Sequence, residues 1–137
     1  MTHHISIAVV GAHLTGQPLN HELTDRGAVH VATCSTAPVY RLYALETDPP
    51  KPGLIRVGAD DPSAGAIEVE LWRLGAAEFG DFVDHVRAPL TVGRVILADG
   101  TDVAGFLCEP AAARQAKDIT ALGGWRAYLE LAGATSA

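Results

Sequence analysis

The N-terminal apolar segment and the glycine loop after it constrain the fold of this chain more than any other feature. Residues 5–10 form an apolar run rich in isoleucine and valine, which predicts a buried β-strand. Gly11 ends the run, and Asn20 is placed to cap a short polar helix at residues 21–26. A strand that leads through a glycine loop into a helix presents backbone N–H groups to an anion. Because His13 lies inside this loop, the loop is the first candidate for a functional site.

Composition and charge limit the classes of function open to the chain. With 137 residues, 48% of them apolar and 19% charged, residues 1–137 are expected to form a single globular domain. The formal net charge of -6, without a block of like charges, disfavours binding to nucleic acid or to an anionic membrane, since both require a basic surface. A small anionic ligand remains compatible, because a local group of backbone amides can outweigh the overall field.

The spacing of cysteine and histidine predicts a reduced protein without a metal. Cys34 and Cys108 are far apart and belong to no CxxC motif, so we expect two buried thiols in a cytoplasmic protein. The N-terminal residues lack the pattern of a secretory signal, and no segment has the length of a membrane-spanning helix. The histidines show no metal-ligand spacing with Asp, Glu or Cys, and we expect no metal and no cofactor.

The remaining segments predict an α+β domain. Residues 66–74 alternate most clearly, with Glu70 on the face opposite Val69, and Asp99-Gly100 is a hairpin-turn signal. The other predicted strands are residues 28–34, 39–45 (a central strand), 54–57, 90–97 and 103–108. The predicted helices are residues 75–86, 110–117 and 123–131, and Trp125 anchors the last of them. Residues 48–53 form a proline-rich extended connection that cannot be an interior strand. This order predicts a mixed or antiparallel sheet curled towards a barrel.

Five segments, in order along the chain, resemble one known family. They are Val10-Gly11-Ala12-His13-Leu14, residues 37–45, Pro49-Pro50-Lys51-Pro52-Gly53-Leu54, Gly105-Phe106-Leu107-Cys108-Glu109, and residues 118–129 with Leu122-Gly123-Gly124-Trp125-Arg126. Together they resemble the C-terminal domain of allophanate hydrolase across nearly the whole chain. The resemblance implies a gamma-glutamylcyclotransferase-like fold, a small cup-shaped β-barrel with flanking helices, which agrees with the predicted α+β class.

The resemblance also implies one activity and disfavours others. In allophanate hydrolase an N-terminal amidase-signature domain converts allophanate to ammonia and N-carboxycarbamate, and the C-terminal domain is implicated in decarboxylating that product. This sequence resembles the second domain alone and lacks the Ser-Ser-Lys residues of the amidase, so it is expected to be a stand-alone homologue or an excised piece and not itself an amidase. Residues 82–86 contain no counterpart of the glutamate base of true cyclotransferases, which disfavours a cyclotransferase reaction.

His13 is the candidate catalytic residue, because the family has a key histidine in this loop. Loss of CO2 from a carboxycarbamate requires a proton on the nitrogen as the C–N bond breaks, and a histidine that titrates near neutral pH can supply it. The structural alternative is a histidine that only hydrogen-bonds its own loop. Gly11, Ala12 and Leu14 are expected to offer backbone amides to a carboxylate, or else to form a tight turn.

Four further residues are candidate substrate-binding groups, each with a structural alternative. Tyr40 is expected to place its phenol in the cup or to be a core aromatic with a satisfied hydroxyl. Lys51 and Gly53 would close over an anionic substrate, although a lysine in such a loop is more often solvated. Glu70 points either into the cup or out to water, and we favour the solvated position.

Two functions from different classes remain open. The favoured one is a cytoplasmic enzyme-like domain that binds a small carboxylate in a cup and decarboxylates N-carboxycarbamate in urea or nitrogen metabolism. The alternative is a non-catalytic dimerisation or docking module for a separate amidase-signature protein, and the family also suggests a homodimer. An open pocket with an inward His13 favours the first function, whereas a filled cup with a large exposed apolar patch favours the second.

Overall fold

The structure, a computed structural model, describes the backbone of residues 3–136 and the side chains of residues 3–133. In chain order its elements are β1 (His4–Val9), α1 (His21–Thr24), β2 (Val29–Ser35), β3 (Tyr40–Leu45), β4 (Lys51–Arg56), β5 (Glu68–Gly75), α2 (Ala76–Asp84), β6 (Leu90–Ile96), β7 (Asp102–Cys108), α3 (Pro110–Ala113), β8 (Lys117–Asp118) and α4 (Trp125–Ser136), with a 3-10 turn at Thr120–Leu122. In this range no helix has both the length and the apolar composition required to cross a bilayer.

The strands form two sheets. The larger sheet has the order β2-β5-β1-β7-β6, and the smaller sheet has the order β4-β3-β8. In the larger sheet β1 pairs antiparallel with β5 and parallel with β7, so the sheet is mixed. Within the described residues neither sheet closes on itself, so the predicted barrel is not closed and the architecture is that of an open cup. The predicted α+β class and cup-shaped architecture are therefore confirmed.

Strand β1 lies in the middle of the larger sheet because its apolar residues can be covered on both faces. Ile7 and Val9 on one face are fully buried, and Ala8 on the other face is buried as well. The chain leaves the sheet after Val9 and enters the loop that contains His13. This loop lies beside the start of β4, where Gly11 touches Pro52, and beside β7. The sheet thereby fixes the position of the predicted functional loop.

The predicted alternation of β5 is confirmed, but both of its faces are covered. Val69 and Leu74 belong to the apolar core. Glu70 and Trp72 are also buried. Thr15 of the loop after β1 and Arg126 of α4 lie over this face and bond the Glu70 carboxylate, which places it in the interior.

Three local predictions are confirmed. Gly100 has a φ of 90°, and the backbone N–H and hydroxyl of Thr101 donate to the Asp99 carboxylate, which completes the turn between β6 and β7. In α4, Trp125 is buried against the core and stacks on Tyr128, as expected for an anchoring aromatic. Strand β3 is the central strand of the smaller sheet.

Strand β4 begins earlier than predicted. It starts at Lys51 rather than at residue 54, and Pro52 pairs with Ala44 of β3. Because β4 is at the edge of its sheet, a proline there interrupts no ladder with a second neighbour. The expectation that this segment is not an interior strand is correct, whereas the expectation of an unpaired connection up to Gly53 is wrong.

Three helices are shorter than predicted. Helix α1 ends at Thr24 rather than at residue 26, and the N–H of Arg26 bonds the carbonyl of Leu23 in a turn. Helix α2 ends at Asp84, where the N–H groups of His85 and Val86 bond carbonyls three residues earlier and tighten the last turn. Residues 110–117 do not form one helix: α3 ends at Ala113, and Lys117 pairs with Ala44 in β8.

Two further expectations about single residues are wrong. Asn20 does not cap α1 through its side chain; its amide instead donates to the carbonyl oxygen of His13, at 2.8 Å. Cys34 is only partly buried, whereas Cys108 is buried as expected, and both are free thiols. Cys34 belongs to the edge strand β2, which has no neighbour on one side to cover it.

Candidate functional site

The loop between β1 and α1 is compact and held by close contacts. The N–H of Leu14 donates to the carbonyl of Gly11 at 2.9 Å. Gly11 lies so close to Pro52 that a methyl group at this position would overlap the proline ring. Only glycine therefore fits at this position, and the loop is pressed against the start of β4.

The ring of His13 is buried and fixed from three directions. The residue is 6% exposed, and its side chain alone is 8% exposed. Its Nε2 lies 2.7 Å from Oε1 of Glu22. The ring stacks on Phe106, with 5.1 Å between centroids and 7° between planes, and meets the edge of Phe82 at 5.1 Å and 79°. These contacts leave the imidazole little freedom to rotate.

The environment of His13 favours the neutral ring. Burial lowers the pKa of His13 below its usual 6.5, and this effect outweighs the hydrogen bond and charge of Glu22, which raise the pKa. Lys51 and His21 lower the pKa slightly further. The ring is therefore neutral at pH 7. Since a carboxylate can only accept, Nε2 carries the hydrogen that points at Glu22.

A small hollow of about 70 Å³ opens beside His13. Its lining consists of His13, Leu19, Glu22, Lys51, Phe82, His85, Val86, Arg87, Leu90 and Phe106. A second, narrower hollow of about 10 Å³ runs along Gly11 and Ala12 and shares the side chains of His13 and Lys51 with the first. The structure thus brings together four of the predicted site residues: Gly11, Ala12, His13 and Lys51. Among the described residues, no group of three or more His, Cys, Asp or Glu side chains is arranged to hold a metal ion.

The backbone amides of the loop differ in availability. The N–H of Leu14 is occupied by Gly11, and Leu14 does not line either hollow, so its predicted role as an amide donor to a ligand is not supported. In the described part of the chain, no hydrogen bond uses the N–H of Ala12 or His13, although both residues are buried. Buried N–H groups without a partner are costly, so a ligand atom or water beside them would be stabilised.

Glu70 is neither solvated nor in the hollow, and the favoured expectation for it is wrong. The residue is buried and accepts hydrogen bonds from the Thr15 N–H and hydroxyl, from the Trp72 indole and from Arg126. Burial raises the pKa of Glu70, but these hydrogen bonds outweigh burial, and the net pKa is lowered. Glu70 holds the segment that follows His13.

Tyr40 and Gly53 also lie outside the lining of the hollow. Tyr40 is fully buried, and its hydroxyl accepts a hydrogen bond from the N–H of Ile96 at 2.9 Å, which joins β3 to β6. It is the core aromatic with a satisfied hydroxyl that the sequence left as the alternative. Gly53 packs against Cys108, where a side chain would overlap the thiol. Both residues serve the packing of the two sheets.

Five polar or aromatic residues of the lining were not predicted from the sequence: Glu22, Phe82, His85, Arg87 and Phe106. They come from α1, α2, the segment after α2 and β7. Phe106 belongs to a segment that resembles the family, and this was the one sequence signal for it. The other residues are separated from His13 in the sequence, so no local sequence pattern connects them with it.

The fold and the hollow define a class of protein: an α+β cup in which a glycine loop after the first strand carries one buried histidine. The sequence profile of the allophanate hydrolase C-terminal domain matches residues 5–130. The chain belongs to this family, and the predicted resemblance is confirmed.

Individual relatives share this region at moderate identity. Urea amidolyase of Saccharomyces cerevisiae is 40% identical over 131 residues, which cover 93% of this chain and 7% of that protein. The structure of Kluyveromyces lactis allophanate hydrolase has a TM-score of 0.87 and 38% identity, covering 93% of this chain and 21% of that one. A uropathogenic E. coli-specific protein of known structure has a TM-score of 0.85 and 32% identity, covering 93% of this chain and 97% of its own.

Because this chain covers only a small part of the larger relatives, the comparisons show its family and not the activity of those whole proteins. The chain spans about 7% of the length of the urea amidolyases that it matches. A structure of gamma-glutamyl cyclotransferase, with a TM-score of 0.55 and 8% identity over 85% of this chain, shares the fold alone. The predicted gamma-glutamylcyclotransferase-like fold is therefore confirmed.

Proposed function

We propose that the hollow beside His13 binds a compact carboxylate anion, and that the chain performs the decarboxylating step that follows allophanate hydrolysis, acting on N-carboxycarbamate in urea degradation. The observation that carries this proposal is the buried His13, held 2.7 Å from Glu22 in the wall of a hollow that Lys51 also lines. The relatives named urea amidolyase and allophanate hydrolase support the choice of pathway.

The size of the hollow favours a compact ligand. Its volume of about 70 Å³ exceeds the roughly 10–15 Å³ that a single water requires by the same measure. It is well below the roughly 300–1,000 Å³ of pockets that enclose drug-sized ligands. A dicarboxylate with a few heavy atoms matches this volume.

The charges around the hollow favour an anion. Lys51 and Arg87 line it with positive charge, and Glu22 is the acidic side chain of the lining. Glu22 directs one carboxylate oxygen at Nε2 of His13, and the two cations outnumber this single negative charge. An anion placed there gains attraction from side chains on two separate segments of the chain, which can contact two carboxylates at once.

The proposed chemistry for His13 is proton delivery during loss of CO2. The C–N bond of N-carboxycarbamate breaks, its electron pair goes to the nitrogen, and one proton arrives there, which gives carbamate and CO2. Without a ligand, burial keeps His13 neutral at pH 7. A bound dianion draws a proton onto Nδ1, which the ring then donates to the nitrogen, whereas a bound monoanion at about pH 8 leaves the ring neutral with Nδ1 as an acceptor.

A second candidate function is favoured by one observation. Val29 and Val31, in the edge strand β2, are 55% and 51% exposed. These side chains favour a non-catalytic role in which β2 pairs with a second copy of the chain or with an amidase-signature protein. Size-exclusion chromatography with light scattering on the wild type and on Val29→Thr/Val31→Thr tests this role. A wild-type dimer that the double variant abolishes supports it, and a wild-type monomer contradicts self-association.

Calorimetric titration with malonate, a stable dicarboxylate of the expected size, tests the first proposal. The wild type should bind malonate saturably, and His13→Ala should lose this binding. Because His13 packs between two phenylalanines, His13→Gln serves as a second variant with less loss of volume. His30→Ala, at an exposed histidine of β2, is the matched control and should bind as the wild type does. Absence of malonate binding by the folded wild type would contradict the proposal of an anion site.

A further inference from the structure

The hydrogen bond between His13 and Glu22 determines which nitrogen of the imidazole remains for a ligand. Nε2 donates to the Glu22 carboxylate at 2.7 Å. In a neutral ring only one nitrogen carries a hydrogen, so Nδ1 is left with a lone pair. No hydrogen bond among the described residues involves Nδ1, and the ring lines the hollow. Nδ1 is therefore the nitrogen that can meet a ligand.

The ring cannot easily exchange its two nitrogens by turning over. Phe106 stacks on one face of His13, and Phe82 meets the ring edge-on, both at 5.1 Å between centroids. The side-chain amide of Asn20 holds the His13 carbonyl at 2.8 Å. With the ring enclosed and its backbone tied down, the hydrogen bond to Glu22 is the interaction that decides the tautomer.

We propose that Glu22 is a positioning residue that fixes His13 as the Nε2–H tautomer, so that Nδ1 accepts a hydrogen bond from an N–H next to the ligand's carboxylate. The inference rests on the proposed anion site and narrows its ligand class. While the ring is neutral, compact monocarboxylates that carry an adjacent N–H bind more tightly than analogues that carry a methyl group instead of the N–H. A methyl group would leave the lone pair of Nδ1 buried and unpaired.

Oxamate and pyruvate provide a matched pair of probes, since they share shape and charge and differ by an amide NH2 in place of a methyl group. The calorimetric titrations are made at about pH 8, because His13 is neutral at that pH. The wild type should bind oxamate roughly 3- to 10-fold more tightly than pyruvate, the range of one net hydrogen bond. Glu22→Gln can donate as well as accept and should reduce this ratio to below about 2-fold, because both tautomers become populated.

The charge of Glu22 requires its own control. Removal of the charge changes the affinity for both anions alike, so the oxamate-to-pyruvate ratio, rather than either affinity, reports the N–H contact. Glu22→Asp keeps the charge but shortens the reach, and it should lower the ratio as Glu22→Gln does. Glu130→Gln, at an exposed position of α4, removes one charge far from His13 in sequence and should retain the wild-type ratio.

Nitrogen-15 NMR of the histidine rings separates positioning from a purely structural role. Wild-type His13 should show a protonated Nε2 and an unprotonated Nδ1, whereas Glu22→Gln should show averaging of the two tautomers. An unchanged tautomer in Glu22→Gln, or equal wild-type affinities for oxamate and pyruvate, overturns the inference and leaves the anion site intact. Failure of the wild type to bind oxamate, pyruvate and malonate alike overturns the proposed function instead.

Discussion

Replacement of Glu70 by alanine tests whether this carboxylate holds the His13 loop or binds the ligand. Glu70 is 3% exposed. Its Oε1 accepts from the Thr15 N–H at 2.9 Å, from the Thr15 hydroxyl at 3.0 Å and from the Trp72 indole at 3.1 Å. Its Oε2 accepts from Arg126 Nη2 at 2.8 Å. Because Thr15 lies two residues after His13, Glu70→Ala removes the attachment of the loop to β5.

The cost of this change follows from what each donor can do without Glu70. The Trp72 N–H is buried, and a buried donor without a partner costs about 1–3 kcal/mol. Thr15 is exposed and can turn to water. The Arg126 side chain is 34% exposed and keeps Glu68 as a second partner, so its loss is well below the roughly 3–5 kcal/mol of a fully buried ion pair. We expect a total loss of about 3 kcal/mol in the free energy of unfolding.

Urea denaturation followed by circular dichroism at neutral pH measures this loss, and malonate calorimetry on the folded variant measures ligand binding. Glu68→Ala is the matched control, since its exposed ion pair with Arg126 should contribute less than about 1 kcal/mol. A loss below about 1 kcal/mol in Glu70→Ala, combined with loss of malonate binding, would refute the structural role and restore Glu70 as a binding residue.

Two further predictions concern His13 and Tyr40. Burial lowers the pKa of His13 below 6.5, so at acidic pH the folded chain binds fewer protons than the unfolded chain. The stability contributed by neutral His13 is therefore complete above pH 6.5 and is lost as the pH falls through the folded-state pKa. Urea denaturation over a pH series should show this loss in the wild type and not in His13→Gln; parallel profiles would contradict it. Tyr40→Phe leaves the Ile96 N–H without its acceptor and should cost about 1 kcal/mol without changing malonate binding. Weaker malonate binding in Tyr40→Phe would place the phenol in the site after all.

The parts of the fold that were predictable have local signals. Asp99-Gly100 specifies its turn through the positive φ of glycine and the side chain of aspartate, and both act within four residues. The parallel pairing of β1 with β7 has no such signal, because Ile7 and Ala104 are far apart in the sequence. The early start of β4 at Lys51 is of the same kind, since the pairing with β3 overrides the local preference of a proline-rich segment.

The candidate site was predictable where its residues lie in the glycine loop or, as Lys51 does, in another segment that resembles the family. His13 follows from the glycine loop together with the family resemblance, whereas its partner Glu22 comes from α1 and its neighbour Phe106 from β7. For Glu70, the two-residue period correctly placed the side chain opposite Val69. The period cannot tell whether that face meets water or the hydrogen-bond donors of another segment, and here Arg126 of α4 covers it.

The two glutamates that contact this loop have separable roles, because they contact different parts of it. Glu22 meets the imidazole of His13, and Glu70 meets the backbone and hydroxyl of Thr15. A change at Glu22 alters ligand selectivity while the bonds of Glu70 persist, and a change at Glu70 lowers stability while Nε2 of His13 stays paired.

The double variant Glu22→Gln/Glu70→Ala tests this separation. If the two contacts are independent, the losses of unfolding free energy should add within about 0.5 kcal/mol. A larger deviation would mean that release of Thr15 already displaces the ring of His13. In that case the loop would act as one rigid unit, and selectivity could not be changed without a cost in stability.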